Sequence, residues 1–68
     1  MQKNKISVLE NSRGRFVGIQ TAKGNNINAR FVGSSDNYVT VFDRNSKSNV
    51  KMAKTSVASV TYGGETFR

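Results

Sequence analysis

Cysteine, histidine and proline are all missing from this chain. Without cysteine and histidine, the chain can form neither a disulfide nor a zinc site of the usual ligand sets, and it has no histidine general base. Without proline, no candidate strand is excluded by a residue that lacks a backbone N–H group. The 68 residues suffice for one domain with a small core. Of the usual supports for so small a core, self-association is the one that the composition leaves, although many domains of this size fold alone.

Acidic residues are scarce, with four Asp and Glu against eleven Lys and Arg and a net charge of +7. This balance favours polyanionic partners, namely RNA, DNA or an anionic membrane surface, although it can also serve solubility alone. No apolar run approaches the roughly 20 residues that cross a bilayer, and no signal-peptide pattern follows the basic N-terminus. We therefore expect a cytoplasmic protein with no membrane partner.

Patterns typical of catalysis are also lacking. The four carboxylates, Glu10, Asp36, Asp43 and Glu65, show no paired spacing. The glycine pair at 63–64 has no helix behind it that would make a phosphate-binding loop. Serine and threonine are plentiful, but no histidine is present to activate them. We expect no enzyme activity, no cofactor, no metal and no small-molecule substrate.

Residues 1–14 form an N-terminal segment whose pattern is ambiguous. The first four residues are polar, and we expect no regular structure in them. In the run KISVLEN at 5–11, Ile6 and Val8 alternate as in a strand, whereas Ile6 and Leu9 are spaced as on one face of a helix. We favour a short helix, because the Ser-Arg-Gly that follows can end it.

Residues 15–62 alternate between apolar and polar side chains, as strands do, and turn residues interrupt them. The most distinct segment is YVTVFD at 38–43, because β-branched and aromatic residues are concentrated there. The pattern predicts five strands, at 15–23, 27–32, 38–43, 49–53 and 57–62. Residues 54–56 leave room only for a single 3₁₀ turn, and residues 63–68 are predicted to be a tail.

These elements predict one all-β domain over residues 1–68, with a short N-terminal helix. Hairpin-sized connections and no long helix indicate an antiparallel, strongly bent sheet of five strands. The most economical form of such a sheet is a small barrel of the Sm-like or SH3-like type, with the 3₁₀ turn before the last strand.

Two stretches resemble the motifs of the Sm-like family, which includes the LSm and Hfq proteins. Residues 30–39 (RFVGSSDNYV) resemble the first Sm motif, a strand followed by a short loop with an aspartate. Residues 52–60 (MAKTSVASV) are similar to the second motif, which reads Y-K-H-A-I-S-T-V-V in Hfq. Gly24 stands where these proteins carry a turn glycine. The resemblance extends over residues 15–62, although Thr40 and Ala29 replace the usual asparagine and glycine.

This resemblance implies a ring with an RNA-binding pore. Sm-like proteins assemble head to tail, with the fourth strand of one copy paired to the fifth strand of the next, so we expect a homo-oligomeric ring of roughly five to seven copies. The implied ligand is single-stranded RNA rich in U or A. Tyr38 would stack on a base, and Asn37 would bond a base edge. Lys54 would contact phosphate or a base carbonyl, with the Thr55 hydroxyl as a weaker donor.

Each of these residues also has a simpler interpretation. Tyr38 can be ordinary sheet packing, Lys54 a solvated lysine, and Asn37 part of a turn. Three further aromatic residues are assigned to the core or to contacts between subunits: Phe16, Phe31 and Phe42. Two other functions remain open, an oligomeric interaction module of the same fold that binds no RNA and a monomeric SH3-like protein that binds duplex DNA.

Overall fold

The computed structural model describes residues 4–68, in which one short helix precedes a series of strands. The elements are α1 (Lys5–Asn11), β1 (Phe16–Thr21), β2 (Asn26–Ser34), β3 (Tyr38–Asp43), β4 (Ser48–Ala53), a 3₁₀ turn (Lys54–Ser56), β5 (Val57–Tyr62) and β6 (Glu65–Phe67). The helix, the 3₁₀ turn, β3 and β5 have the bounds that the sequence predicted, and the ends of β1, β2 and β4 differ by one or two residues. The expectation for residues 1–3 lies outside the described residues.

α1 is fixed at both ends by side-chain hydrogen bonds and packs against β2 and β5. The Asn4 Oδ1 atom accepts a hydrogen bond from the Ser7 backbone N–H at 2.8 Å, which caps the N-terminus. The buried Ser12 hydroxyl donates to the Leu9 carbonyl at 2.7 Å after the last turn. Val8 and Leu9 bury the apolar side of the helix. Within residues 4–68, no helix has both the length and the apolar character needed to cross a membrane.

The strands form one antiparallel sheet in the order β4-β3-β2-β1-β5-β6. Among residues 4–68, neighbours in the sheet are consecutive in the chain except at the β1–β5 pairing. The register shifts between Phe31 and Gly33 in β2 and between Gln20 and Thr21 in β1. Because such irregularities bend a strand and increase its twist, they curve the sheet around its core.

Two parts of the fold prediction are wrong. The sheet has six strands rather than five, and its end strands β4 and β6 do not pair with each other, so it is not a closed barrel. The predicted tail at 63–68 makes a hairpin, because Gly63 and Gly64 both adopt positive φ, at 62° and 85°, in a two-residue turn. Strand β6 pairs with the last three residues of β5 and covers part of an edge that the sequence predicted to be open.

The core lies on the face of the sheet that α1 covers, which we name the inner face. Alternation along the strands directs every second side chain to this face. The buried apolar residues are Val8, Leu9, Val17, Ile19, Ala29, Phe31, Val39, Val41, Val57 and Val60. Phe31, predicted to lie in the core or at a subunit contact, is a core residue. Phe16 is 41% exposed and is not part of the core, because it points to the opposite face, which we name the outer face.

Candidate nucleic-acid interface

The four residues predicted to bind RNA lie at one end of the β3–β4 pair. Asn37 and Tyr38 lead into β3, and Lys54 and Thr55 begin the 3₁₀ turn after β4. The Lys54 backbone N–H donates to the Asn37 carbonyl at 2.9 Å, and Tyr38 lies opposite Ala53 in the register. The sheet itself therefore brings the two segments together. The side chains of Asn37, Tyr38 and Thr55 are exposed, and Lys54 is half-buried.

The Tyr38 ring lies on the outer face and is 45% exposed, so it is not packed into the core. The cation beside the ring is Lys51, whose Nζ atom is 4.7 Å from the ring centroid. Lys51 on β4 lies opposite Thr40 on β3. Because Thr40 is two residues after Tyr38 on the same strand, Lys51 and Tyr38 are on the same face of the sheet. A cation at this distance is attracted to the ring and places positive charge beside the exposed tyrosine. Sequence reasoning missed Lys51, because its closeness to Tyr38 depends on the register of two strands.

A second cluster on the outer face, the arginine–phenylalanine row, crosses three strands. Phe16, Arg30 and Phe42 lie opposite one another in the register of β1, β2 and β3. The Arg30 guanidinium carbon is 5.5 Å from the Phe16 ring centroid and 5.2 Å from the Phe42 centroid. Arg44 adds a second guanidinium 5.4 Å from the Phe16 ring. The two ring centroids are themselves 6.5 Å apart, so the row is a pair of neighbouring rings with two guanidinium groups beside it, on the side of the sheet away from the core.

Beside this row, the outer face contains a polar trough with a volume of about 400 Å³. Gly18 and Asn28, which pair in the register of β1 and β2, both line the trough. This pair is two residues along the strands from the Phe16–Arg30 pair, so the trough adjoins the row. The residues that can form hydrogen bonds in its lining include Gln20, Asn28, Asn45, Ser59, Thr61 and Arg68. The Ser59 hydroxyl donates to the Gln20 Oε1 atom at 3.3 Å and so orients the Gln20 amide. The trough combines amides, hydroxyls and one guanidinium, a set suited to polar, planar ligands.

No acidic residue occupies a strand position of the outer face in the part of the chain that the structure describes. The Glu10 carboxylate on α1 accepts a hydrogen bond from the Ser34 hydroxyl at 2.8 Å. Asp43 lies opposite the buried Ala29, and Glu65 lies opposite Tyr62, which packs against the core. The last one, Asp36, is in the connection between β2 and β3.

Within residues 4–68, the charged side chains at the strand positions of the outer face are therefore all basic. Arg30 and Lys51 occupy such positions, and Arg44 and Arg68 border the row and the trough. No three His, Cys, Asp or Glu side chains within residues 4–68 come together as a metal site. This surface has the charge and the groups to bind a polyanion with polar, planar parts.

Sequence reasoning assigned the outer-face phenylalanines to the core or to subunit contacts and did not consider the trough. The members of the row and the trough come from β1, β2, β3, the β3–β4 turn, β5 and the C-terminal hairpin, and the strand register brings these elements together. Comparison with protein-family models, with curated proteins and with solved structures gives no match in any of the three. Function is therefore inferred from the chemistry and geometry of these surfaces.

Proposed function

We propose that this chain is a divergent Sm-like protein, a binding module and not an enzyme, that assembles into a ring and binds single-stranded RNA. Support comes from the order of its elements, a helix and then five strands with a 3₁₀ turn before the fifth, and from the strand neighbours β4-β3-β2-β1-β5. The observation that carries the proposal is the hydrogen bond between the Lys54 N–H and the Asn37 carbonyl. It joins the two segments in which the family resemblance puts the RNA-binding residues.

The chemistry at this position fits a short single-stranded tract rich in U or A. The exposed Tyr38 ring offers a flat surface to a base, a contact that contributes about 1–3 kcal/mol. Asn37 can bond a base edge, which single-stranded RNA leaves free. Lys54 supplies charge for a phosphate or a base carbonyl, and Thr55 a hydroxyl donor. Repetition around a ring of roughly five to seven copies makes such weak contacts into avid binding.

Ring assembly places a condition on the C-terminal hairpin. The outer edge of β4 is an end of the sheet and is free to pair with another copy. The corresponding edge of β5 is covered by β6 over residues 60–62, and the Lys5 ammonium contacts the Ala58 carbonyl at 3.4 Å. In the proposed ring, β4 of one copy takes over this edge, and β6 detaches to admit it.

Native mass and RNA affinity test the two halves of this proposal. The ring predicts a mass several times the 7.5 kDa of one chain by light scattering. Tyr38→Ala and Lys54→Ala are expected to weaken binding to oligo-U or oligo-A about 10-fold or more, with the mass unchanged. Tyr38→Phe keeps the ring face, and Lys23→Ala removes an exposed turn lysine elsewhere, so both should retain the parent affinity. A monomeric mass contradicts the ring, and equal affinities of all four variants contradict the RNA site.

The covered β5 edge favours a second candidate, a monomeric SH3-like protein that binds duplex DNA through its cationic surface. Because β6 already occupies part of the edge, no second copy is needed to satisfy its backbone groups. In this case duplex DNA should compete better than single strands, and Tyr38→Ala should have little effect. A ring with no affinity for RNA at low salt would instead indicate an oligomeric interaction module.

A further inference from the structure

We infer that the arginine–phenylalanine row and the polar trough together form a second binding site, which takes single-stranded nucleic acid. The site lies mainly on β1, β2, β3 and β5, with Arg44 and Asn45 from the β3–β4 turn, so most of it would remain if β6 detached in a ring. It requires neither a ring nor the tyrosine at the start of β3. It therefore goes beyond the proposed function and can be tested separately.

The row supplies the phosphate contacts. The Phe16 and Phe42 ring centroids are 6.5 Å apart, and the Arg30 guanidinium carbon lies 5.5 and 5.2 Å from them. The Arg44 guanidinium carbon lies 5.4 Å from the Phe16 centroid. A guanidinium that lies beside an aromatic ring gives up none of its N–H donors to that contact, so they can bond a phosphate. Attraction to the rings also limits the freedom of the side chain in advance, so less is lost when the ligand binds. The row thus presents two cations at the same pair of rings.

The trough supplies the contacts to the base and the sugar. It is continuous with the row, because the Gly18–Asn28 pair is two residues along the strands from Phe16–Arg30. Gly18 and Thr61 both line the trough, and a Cβ atom at Gly18 would make an ordinary van der Waals contact with the Thr61 Cβ at 3.5 Å. The missing side chain at Gly18 therefore leaves the space beside Thr61 open. The amides of Asn28 and Asn45 can donate to and accept from a base edge.

Charge and shape select the occupant. The strand positions of the outer face carry arginine and lysine and, within residues 4–68, no carboxylate. This positive charge favours a polyanion as the ligand over a protein partner with few acidic residues. A bilayer surface would engage the cations but not the amides in a trough, and a duplex keeps its base edges paired. A single strand offers both phosphates and free base edges.

The test uses the full chain and short oligonucleotides, with Tyr38→Ala as the background so that the site at the start of β3 does not contribute. Gly18→Val fills the trough without changing charge, and its Cβ makes an ordinary van der Waals contact. Gly33→Val is the matched control, because nothing lies within 4 Å of a Cβ at that position. Fluorescence anisotropy with oligo-U, oligo-A and the corresponding DNA strands should show about 10-fold weaker binding for Gly18→Val and no change for Gly33→Val.

The charge of the row gives an independent measurement. Arg30→Gln removes one phosphate contact, so the slope of log K against log salt should decrease by roughly 0.7 for a single strand. Arg13→Gln is the control, because Arg13 stacks on the buried Phe31 ring, 5.5 Å away, on the side of the core. Similar losses for DNA and RNA would indicate recognition of base and phosphate, and a loss for RNA alone would indicate contacts to the 2′-hydroxyl.

An NMR titration with a dinucleotide covers the case in which Gly18→Val does not fold. The amides of Gly18, Asn28 and Thr61 should shift at concentrations that leave Asn37 and Lys54 unmoved. The proposal is overturned if these amides do not shift, if Gly18→Val and Gly33→Val bind alike, or if duplex DNA or anionic phosphatidylserine vesicles displace the strand more effectively than unlabelled single strands. None of these results affects the ring or its mass.

Discussion

The two faces of the sheet are made from the same strands but have opposite chemistry. On β1, Val17 and Ile19 are buried in the inner face, whereas Phe16 and Gln20 are exposed on the outer face. The inner face is apolar and covered by α1, and the outer face holds stacked cations, amides and hydroxyls. Stability therefore depends mainly on one face, and the other is available for binding.

The largest expected contrast between the faces comes from two adjacent residues. Ile19→Ala should lower the free energy of unfolding by about 2–5 kcal/mol, because Ile19 is 1% exposed and its loss leaves a cavity. Gln20→Ala, one residue along and on the outer face, should change it by less than about 1 kcal/mol. Urea unfolding followed by circular dichroism measures both variants. Equal losses would show that the outer face contributes to folding as much as the core does.

An intermediate effect is expected at the helix that covers the inner face. Asn4→Ala removes the oxygen that accepts from the Ser7 N–H, and should destabilise the protein by about 1 kcal/mol. Asn4→Asp keeps an acceptor at this position and should restore most of the stability. Thermal unfolding of the two variants measures the difference. If both variants melt like the parent, α1 contributes little to the cover of the core.

The smallest effect is expected on the outer face at the edge of the sheet. Lys51→Ala removes the cation that lies 4.7 Å from the exposed Tyr38 ring, a contact that contributes about 0.5–1 kcal/mol at such sites. Asn49→Ala, an exposed residue on the same strand and face, is the control. Differential scanning fluorimetry of both variants, at low and high salt, measures the contrast. A loss of stability larger than that of Asn4→Ala would show that the outer face also contributes to folding stability.

The sequence predicted the inner face well, because burial leaves a local pattern. The predicted bounds of α1, β3 and β5 match the structure. The signals were alternating apolar residues in the two strands and the three-residue spacing of Ile6 and Leu9 in the helix. Strand β6 was missed because three residues are too few to show alternation. Gly63 and Gly64 were read as the start of a tail, although adjacent glycines also favour the turn that they form.

The outer face could not be predicted in the same way. Phe16, Arg30 and Phe42 come together only through the register of three strands, and the bulge between Phe31 and Gly33 shifts that register. The sequence did predict that the segments at 37–38 and 54–55 approach each other, and a backbone hydrogen bond joins them. The functional role assigned to those residues remains a prediction, because proximity alone does not identify a ligand.

The β1–β5 pairing has a consequence for how the chain folds. Joining Gly18 to Thr61 closes a loop of roughly 40 residues, which costs chain entropy that the hairpins between consecutive strands largely avoid. We therefore expect the hairpins to form first and this seam to close late. Gln20 and Thr61 stand on opposite sides of the seam, so the trough exists only after it has closed. A ligand in the trough would stabilise the β1–β5 pairing, and so slow its opening and the exchange of its amide protons.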